Sequence, residues 1–305
     1  MNVTLGMVGL GRMGGNMARR LARAGHAVVA WDRADDARAT LGQEAGVQPA
    51  ATLEELVAAL PSPRIVWLML PAGAPTQETV SKLVPLLGAG DVVIDGGNAM
   101  YKDSQHRAAE LAAQDVLFVD AGVSGGVWGL DNGYGLMVGG DVAAVRIVQP
   151  VLRSLAPAPD RGWVHCGPAG SGHFTKMVHN GIEYGMMQAY AEGLALLRAK
   201  EEFALDVSQI TEAWRHGTVI RSWLLDLTAE FLAQDATLES IAPFVADSGE
   251  GRWTALESIE LGVPTPVMTL ALMERFGSQG QDDYTNRLLA RMRLAFGGHA
   301  VKRDG

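Results

Sequence analysis

The sequence predicts an α/β N-terminal domain with a mostly parallel sheet, followed by an all-α C-terminal domain. Three observations carry this. Apolar runs of strand length alternate with amphipathic helical stretches through the first half. Strand signals nearly vanish after about Pro168. The length of 305 residues suits two domains rather than one. The domains are expected at 1–165 and 166–305.

The expected strands are Val3–Val8, Ala27–Trp31, Ile65–Leu70, Val92–Ile94 and Leu117–Val119, then Tyr134–Val138 and Trp163–His165. Helices are expected over Met13–Ala24, Thr52–Leu60, Thr76–Leu86, Ser104–Gln114 and Val142–Leu155. Gly25 fits the stop of the first helix. Thr52 with Glu55 fits a capping box. In the second half a long helix is expected from Gly172 to Lys200. Others cover Ser208–His216, Ile220–Gln234, Trp253–Leu261, Val267–Phe276 and Asp283–Phe296.

Composition excludes several classes. The formal charge of −9 opposes non-specific nucleic-acid binding. No run of 18 apolar residues occurs, so no membrane span is expected. A single cysteine, Cys166, forbids an internal disulfide and reads best as a small packing residue. With the plain start of the chain, it points to a cytoplasmic setting. No His/Cys/Asp/Glu cluster has metal-ligand spacing, so no metal is expected.

Gly9-Leu10-Gly11-Arg12-Met13-Gly14 lies where the first strand turns into the first helix. Glycines there permit a tight turn and close approach of backbone to a pyrophosphate, which the helix N-terminus attracts. A second strand ends at Asp32, 18 residues after Gly14. This context predicts a Rossmann-like dinucleotide site. Asp32 favours ribose hydroxyls, hence NAD. Arg33 can attract a 2′-phosphate, so NADP stays open.

The densest chemistry lies in Lys176-Met177-Val178-His179-Asn180-Gly181-Ile182-Glu183-Tyr184. On a helix, Lys176, His179, Asn180, Glu183 and Tyr184 share one face. A solvated, salt-bridged face is the usual reading of such charges. His, Asn and Tyr fit an active-site wall better, and Gly170 and Gly172 suggest close packing at the helix start. A Lys partly removed from water can act as base and a Glu as acid.

This run resembles the signature of the 6-phosphogluconate dehydrogenases, in a short form, within the β-hydroxyacid dehydrogenases. Asp95-Gly96-Gly97-Asn98, Val123-Ser124-Gly125-Gly126 and Gly249-Glu250-Gly251-Arg252-Trp253-Thr254 resemble further family segments. So do Arg275, and Arg293 with Phe296-Gly297-Gly298-His299. The chain departs from the family pattern at Ala99, usually Ser, and at Ser248, a Lys in long members.

The resemblance implies oxidative decarboxylation of a small phosphorylated sugar acid, with Lys176 as base and Glu183 as acid. It places Asn98 under the nicotinamide and near the substrate. Ser124, Gly125, Gly126, His179 and Asn180 are implied for the carboxylate and hydroxyls. Tyr184, Arg275 and Arg293 are implied toward the phosphate end, and His299 toward a neighbouring subunit's substrate. It also implies a homodimer or homotetramer, with the tail reaching a neighbouring subunit. The competing readings are another dehydrogenase, acting on an unphosphorylated 3-hydroxy acid, and a silent dinucleotide-binding protein.

Overall fold

The computed structural model describes residues 2–280, 283–297 and 302. It divides into two compact units, Met1–Val178 and His179–Gly305. The division falls inside one long helix.

The first unit runs β1 (Thr4–Val8), α1 (Arg12–Arg23), β2 (Ala27–Trp31), α2 (Asp35–Leu41), β3 (Val47–Pro49) and α3 (Leu53–Ala58). It continues with β4 (Ile65–Leu68), α4 (Ala74–Leu83), β5 (Val92–Asp95), α5 (Tyr101–Ala112) and β6 (Leu117–Ser124). Then come α6 (Gly129–Asn132), β7 (Gly135–Gly140), α7 (Val142–Leu155), β8 (Trp163–Gly167) and the start of α8 (Ser171–Ala199). The strands form one sheet in the order β3-β2-β1-β4-β5-β6-β7-β8. Every pairing is parallel except β6 with β7, where Ser124 faces Gly135.

Side chains leave a strand alternately toward its two faces, so both sides of this sheet need cover. Leu5, Met7, Ile65, Trp67, Val92 and Ile94 join one core with Met17 and Leu21 of α1. Val8, Val66, Leu68 and Val93 join another with Leu56 of α3, Val80 of α4 and Leu111 of α5. Strands β4 and β5 read as continuous apolar runs because neither of their faces meets water. Strand order reverses between β1 and β4, and in such sheets ligands bind beyond the strand ends at that crevice.

Three elements lie outside the sequence expectation: α2, β3 and the short α6. Helix α2 buries only Leu41, too little for a helical stripe. Strand β3 is three residues long and ends at Pro49. Strand β6 runs five residues past Val119. Its extension, Asp120-Ala121-Gly122-Val123-Ser124, carries poor strand formers, held straight by pairing with β7. The expected caps are present. Thr52 accepts from the Glu55 N–H at 3.1 Å, and the Glu55 carboxylate accepts from Ala51 N–H at 2.8 Å.

The second unit holds the rest of α8, then α9 (Val207–Trp214), α10 (Trp223–Gln234), α11 (Glu250–Leu261), α12 (Pro266–Ser278) and α13 (Asp283–Gly297). Helix α10 starts three residues later than expected, because the Ser222 hydroxyl caps it by accepting from Leu225 N–H. Helix α11 starts three residues early, after Gly249 at φ +104°. Tyr184, Ala271 and Leu272 centre a small core among α8, α11 and α12.

Candidate active site

The glycine loop gives each glycine a separate job. Gly9 has φ +92°, and a side chain there would strike the Met69 carbonyl after β4. A side chain at Gly14 would strike the Gly9 carbonyl. Around Gly11 a side chain would meet nothing within 4 Å, so this exposed position is open toward solvent. No side chain caps the N-terminus of α1, whose first N–H groups have no partner inside the helix. Arg12 is exposed and Met13 half-buried at that end. An open glycine and an uncapped helix start fit the pyrophosphate of a dinucleotide.

Asp32 follows β2 and braces this loop. One carboxylate oxygen accepts from Leu10 N–H at 2.7 Å, the other from Ala34 N–H at 2.9 Å. Arg33 is exposed. Arg38 is engaged with the Asp32 carbonyl at 2.5 Å and with Asp35 at 2.7 Å. Asp32, Asp35 and Asp36 flank Arg33 in the sequence.

The Asp95-Gly96-Gly97-Asn98 turn rests on a buried ion pair. Asp95 and Arg107 are 0% and 2% exposed and 2.9 Å apart. The other Asp95 oxygen accepts from Gly97 N–H at 3.1 Å. Gly96 lies flat against the Trp67 indole, where a side chain would collide. Asn98 is exposed and Ala99 buried.

The start of α8 is pinned to β6. The buried Asp120 carboxylate accepts from Gly170 N–H at 2.6 Å and His173 N–H at 2.8 Å. The His173 imidazole Nδ1 pairs with the Ser104 hydroxyl at 2.6 Å. A side chain at Gly172 would lie 2.5 Å from the Met137 carbonyl and 2.6 Å from that of Asp120. So the helix start packs backbone to backbone against β6 and β7, as Gly170 and Gly172 suggested. One turn on, the Lys176 side chain crosses directly over Gly122, where any larger residue would block it. Gly122 and Ser124 share a face of β6, so Lys176 lies along the strand that ends at Ser124. Ser124 leads into Gly125 and Gly126, at φ +126° and +52°.

In the second unit, the Asn180 amide donates to the Glu250 carboxylate at 2.8 Å. His179 Nδ1 lies 3.0 Å from the Asn180 oxygen and 3.9 Å from the Glu183 carboxylate. His179 and Glu183 are both half open to water, at 43% and 46%. Tyr184 is buried, so the face it shares with His179 and Glu183 is uneven in exposure, and Ile182 off that face is exposed. The Tyr184 hydroxyl lies 3.4 Å from Ser248 Oγ. The Arg275 guanidinium stacks over its ring at 3.5 Å and donates to the Ala246 carbonyl at 2.8 Å. Gly251 makes room for that ring. Arg293 is exposed on α13, and His299 lies outside the described residues.

Sequence reading missed the supports: Asp120, Ser104 with His173, Arg107 under Asp95, and the role of Glu250. A lone acid inside an apolar strand, as at Asp120, was the available signal.

Residues 4–167 match the family model described as the NAD binding domain of 6-phosphogluconate dehydrogenase. Residues 172–302 match that of the 6-phosphogluconate dehydrogenase C-terminal domain. The chain is 43% identical, over 98% of both chains, to an NAD(+)-dependent, decarboxylating 6-phosphogluconate dehydrogenase of Haloferax volcanii. It is 36% identical to a Bacillus subtilis enzyme of the same description, covering 92% of this chain and 62% of that longer one. A solved 6-phosphogluconate dehydrogenase of Plasmodium falciparum, studied with NADP+ and with 6-phosphogluconate, superposes with TM-score 0.84 at 30% identity. That match covers 99% of this chain and 66% of the other. With both halves matched in order and nearly every residue covered, this chain belongs to the 6-phosphogluconate dehydrogenase family.

Proposed function

We propose that this chain oxidatively decarboxylates 6-phosphogluconate to ribulose 5-phosphate and CO₂, with NAD preferred over NADP. The observation that carries the reading is the course of Lys176 over Gly122, beside the strand that delivers Ser124. Family membership supports it.

Gly9, Leu10, Gly11, Arg12, Met13 and Gly14 would hold the pyrophosphate, and Asp32 would receive the adenosine ribose. Asn98 would contact the nicotinamide, which would supply the hydride acceptor. Lys176 removes the C3 hydroxyl proton as hydride leaves C3. Its ammonium form then stabilises the oxyanion that develops as the β-keto acid loses CO₂. Glu183 returns a proton to the carbon that carried the carboxylate. Ser124, Gly125, Gly126, His179 and Asn180 hold the carboxylate and hydroxyls. Tyr184, Arg275 and Arg293 serve the phosphate end, where Arg forks match phosphate oxygens, and His299 reaches the substrate of a neighbouring subunit. NAD preference rests on Asp32, flanked by Asp35 and Asp36, which opposes a 2′-phosphate beside Arg33.

We assign residues 1–165 to dinucleotide binding and 166–305 to substrate binding and subunit association, in a cytoplasmic homodimer or homotetramer. Exposed Val267, Leu270 and Met273 on α12 favour association. No helix among the described residues is long and apolar enough to cross a membrane.

The test is NADH release with 6-phosphogluconate, together with identification of the sugar product. Gluconate and 3-hydroxy acids serve as unphosphorylated controls, and NADP as the alternative acceptor. Turnover of a control acid in preference to 6-phosphogluconate sinks the substrate assignment.

A further inference from the structure

One stripe of α1 grips the loop that follows Ser124. Asn16, Arg20 and Arg23 recur at helical spacing. The Asn16 amide donates to the Val127 carbonyl at 3.4 Å. Arg20 donates to the carbonyls of Leu130 at 3.1 Å and Asp131 at 3.3 Å. The same guanidinium reaches Ser154 at 3.0 Å and Ala156 at 2.8 Å, tying down the end of α7. Arg23 stands 3.9 Å from the Asp131 carboxylate.

The gripped segment joins two antiparallel strands, since Ser124 on β6 faces Gly135 on β7. Glycines in the left-handed region flank it: Gly125 and Gly126 at one end, Gly133 at the other. Such a loop pivots at its ends unless something holds its middle. Here the middle is held by the helix whose opposite end forms the dinucleotide cradle. Val127 and Trp128, each half-exposed, ride on top.

We propose that Asn16 and Arg20 are positioning residues. They fasten the 125–134 loop to the dinucleotide helix, so that bound dinucleotide presets Ser124, Gly125 and Gly126 for substrate. A helix fixed by its dinucleotide fixes the loop, and linkage makes the effect reciprocal: substrate tightens dinucleotide binding by the same factor. The inference rests on the reading of Ser124, Gly125 and Gly126 as substrate ligands.

Two measurements test it on full-length wild type, Asn16→Ala and Arg20→Lys. The first is amide hydrogen exchange of peptides spanning 125–134, with and without saturating NAD. NAD slows exchange in the wild type, and both variants lose that response while still binding NAD. Equal protection in wild type and variants, or none in the wild type, overturns the proposal. The second is steady-state kinetics with 6-phosphogluconate. The KM rises on the order of fivefold or more in the variants, the low end of ordinary site-to-site coupling, with kcat nearly unchanged. An unchanged KM overturns the proposal, as does a fall in kcat alone. Asn16 sits on the helix surface, so its loss spares the fold if Arg20→Lys does not. If the wild type fails to turn over 6-phosphogluconate, the functional reading fails, and the exchange experiment still decides the tether.

Discussion

Asp120 holds the N-terminus of the helix that carries Lys176, by accepting from the backbone N–H of His173 at 2.8 Å. A strand acid thereby caps a helix fifty residues away, and its charge suits the positive end of the helix dipole. Because it also takes the Gly170 N–H, Asp120→Ala leaves two buried donors without acceptors. Each costs ~1–3 kcal/mol. We expect a loss on the order of 3 kcal/mol in denaturant unfolding, and turnover reduced more than NAD binding. An unchanged unfolding midpoint removes this cap from the account.

Lys176→Met is expected to cut turnover by ~10²–10⁴, the usual loss for a positioned base. NAD affinity should hold, because Lys176 lies over β6, whereas the cradle is built from β1, α1 and the end of β2. Near-normal turnover excludes Lys176 as base. Glu183→Gln fills the same space but delivers no proton, so formation of ribulose 5-phosphate should slow strongly. An unchanged rate of that product takes Glu183 out of the mechanism.

The candidate site residues could be named from the sequence because they sit in short runs, such as Lys176 to Tyr184. Its supports were not legible because they join distant segments. Asp120 meets Gly170, Ser104 meets His173, and Glu250 meets Asn180 across 50, 69 and 70 residues. No local spacing encodes such pairings. The fold was legible where burial is two-sided, as in β4 and β5. It was illegible in α2 and β3, which bury one side chain each.

Asp32→Ala should raise the ratio of kcat/KM for NADP over NAD, since it removes the charge that opposes a 2′-phosphate and leaves Arg33 in place. The structure adds a second consequence. Asp32 also holds Leu10 N–H in the glycine loop, so efficiency with NAD should fall. Steady-state kinetics with both dinucleotides read both effects. A wild type that uses NADP as well as NAD shows that Arg33 prevails.

His26 predicts how stability changes in mild acid. Its Nδ1 accepts from Val3 N–H at 3.1 Å, which leaves Nε2–H to donate to Ser154 Oγ at 2.8 Å. Burial pushes the imidazole below its usual value of about 6.5, and protonation at Nδ1 would displace the Val3 N–H. The unfolded chain thus binds this proton more readily than the folded one. The contribution is fully present above about pH 6.5 and is lost as pH falls through that value toward the lowered folded pKa. Melting temperature followed from pH 8 to 5 should fall more steeply in the wild type than in His26→Gln. Parallel curves exclude His26 as the source.

The last prediction is that a second subunit completes each site. Val267, Leu270 and Met273 leave α12 exposed at three-residue spacing, beside buried Ala271 and Leu272. An apolar stripe open to water on a packed helix favours cover by another chain. The family resemblance sends the segment with Arg293 and His299 to a neighbour's substrate. A frayed C-terminus is the plain alternative. Mixing decides between them. Lys176→Met lacks the base, and His299→Ala lacks the donated tail, so each alone should be nearly inactive. Unfolded and refolded together, they form mixed dimers in which one site has the intact Lys176 of one chain and the intact tail of the other. At random association about half the dimers are mixed, each with one competent site, so roughly a quarter of wild-type activity should return. If the tail serves its own chain, or serves no site at all, the mixture shows only the sum of the two mutants.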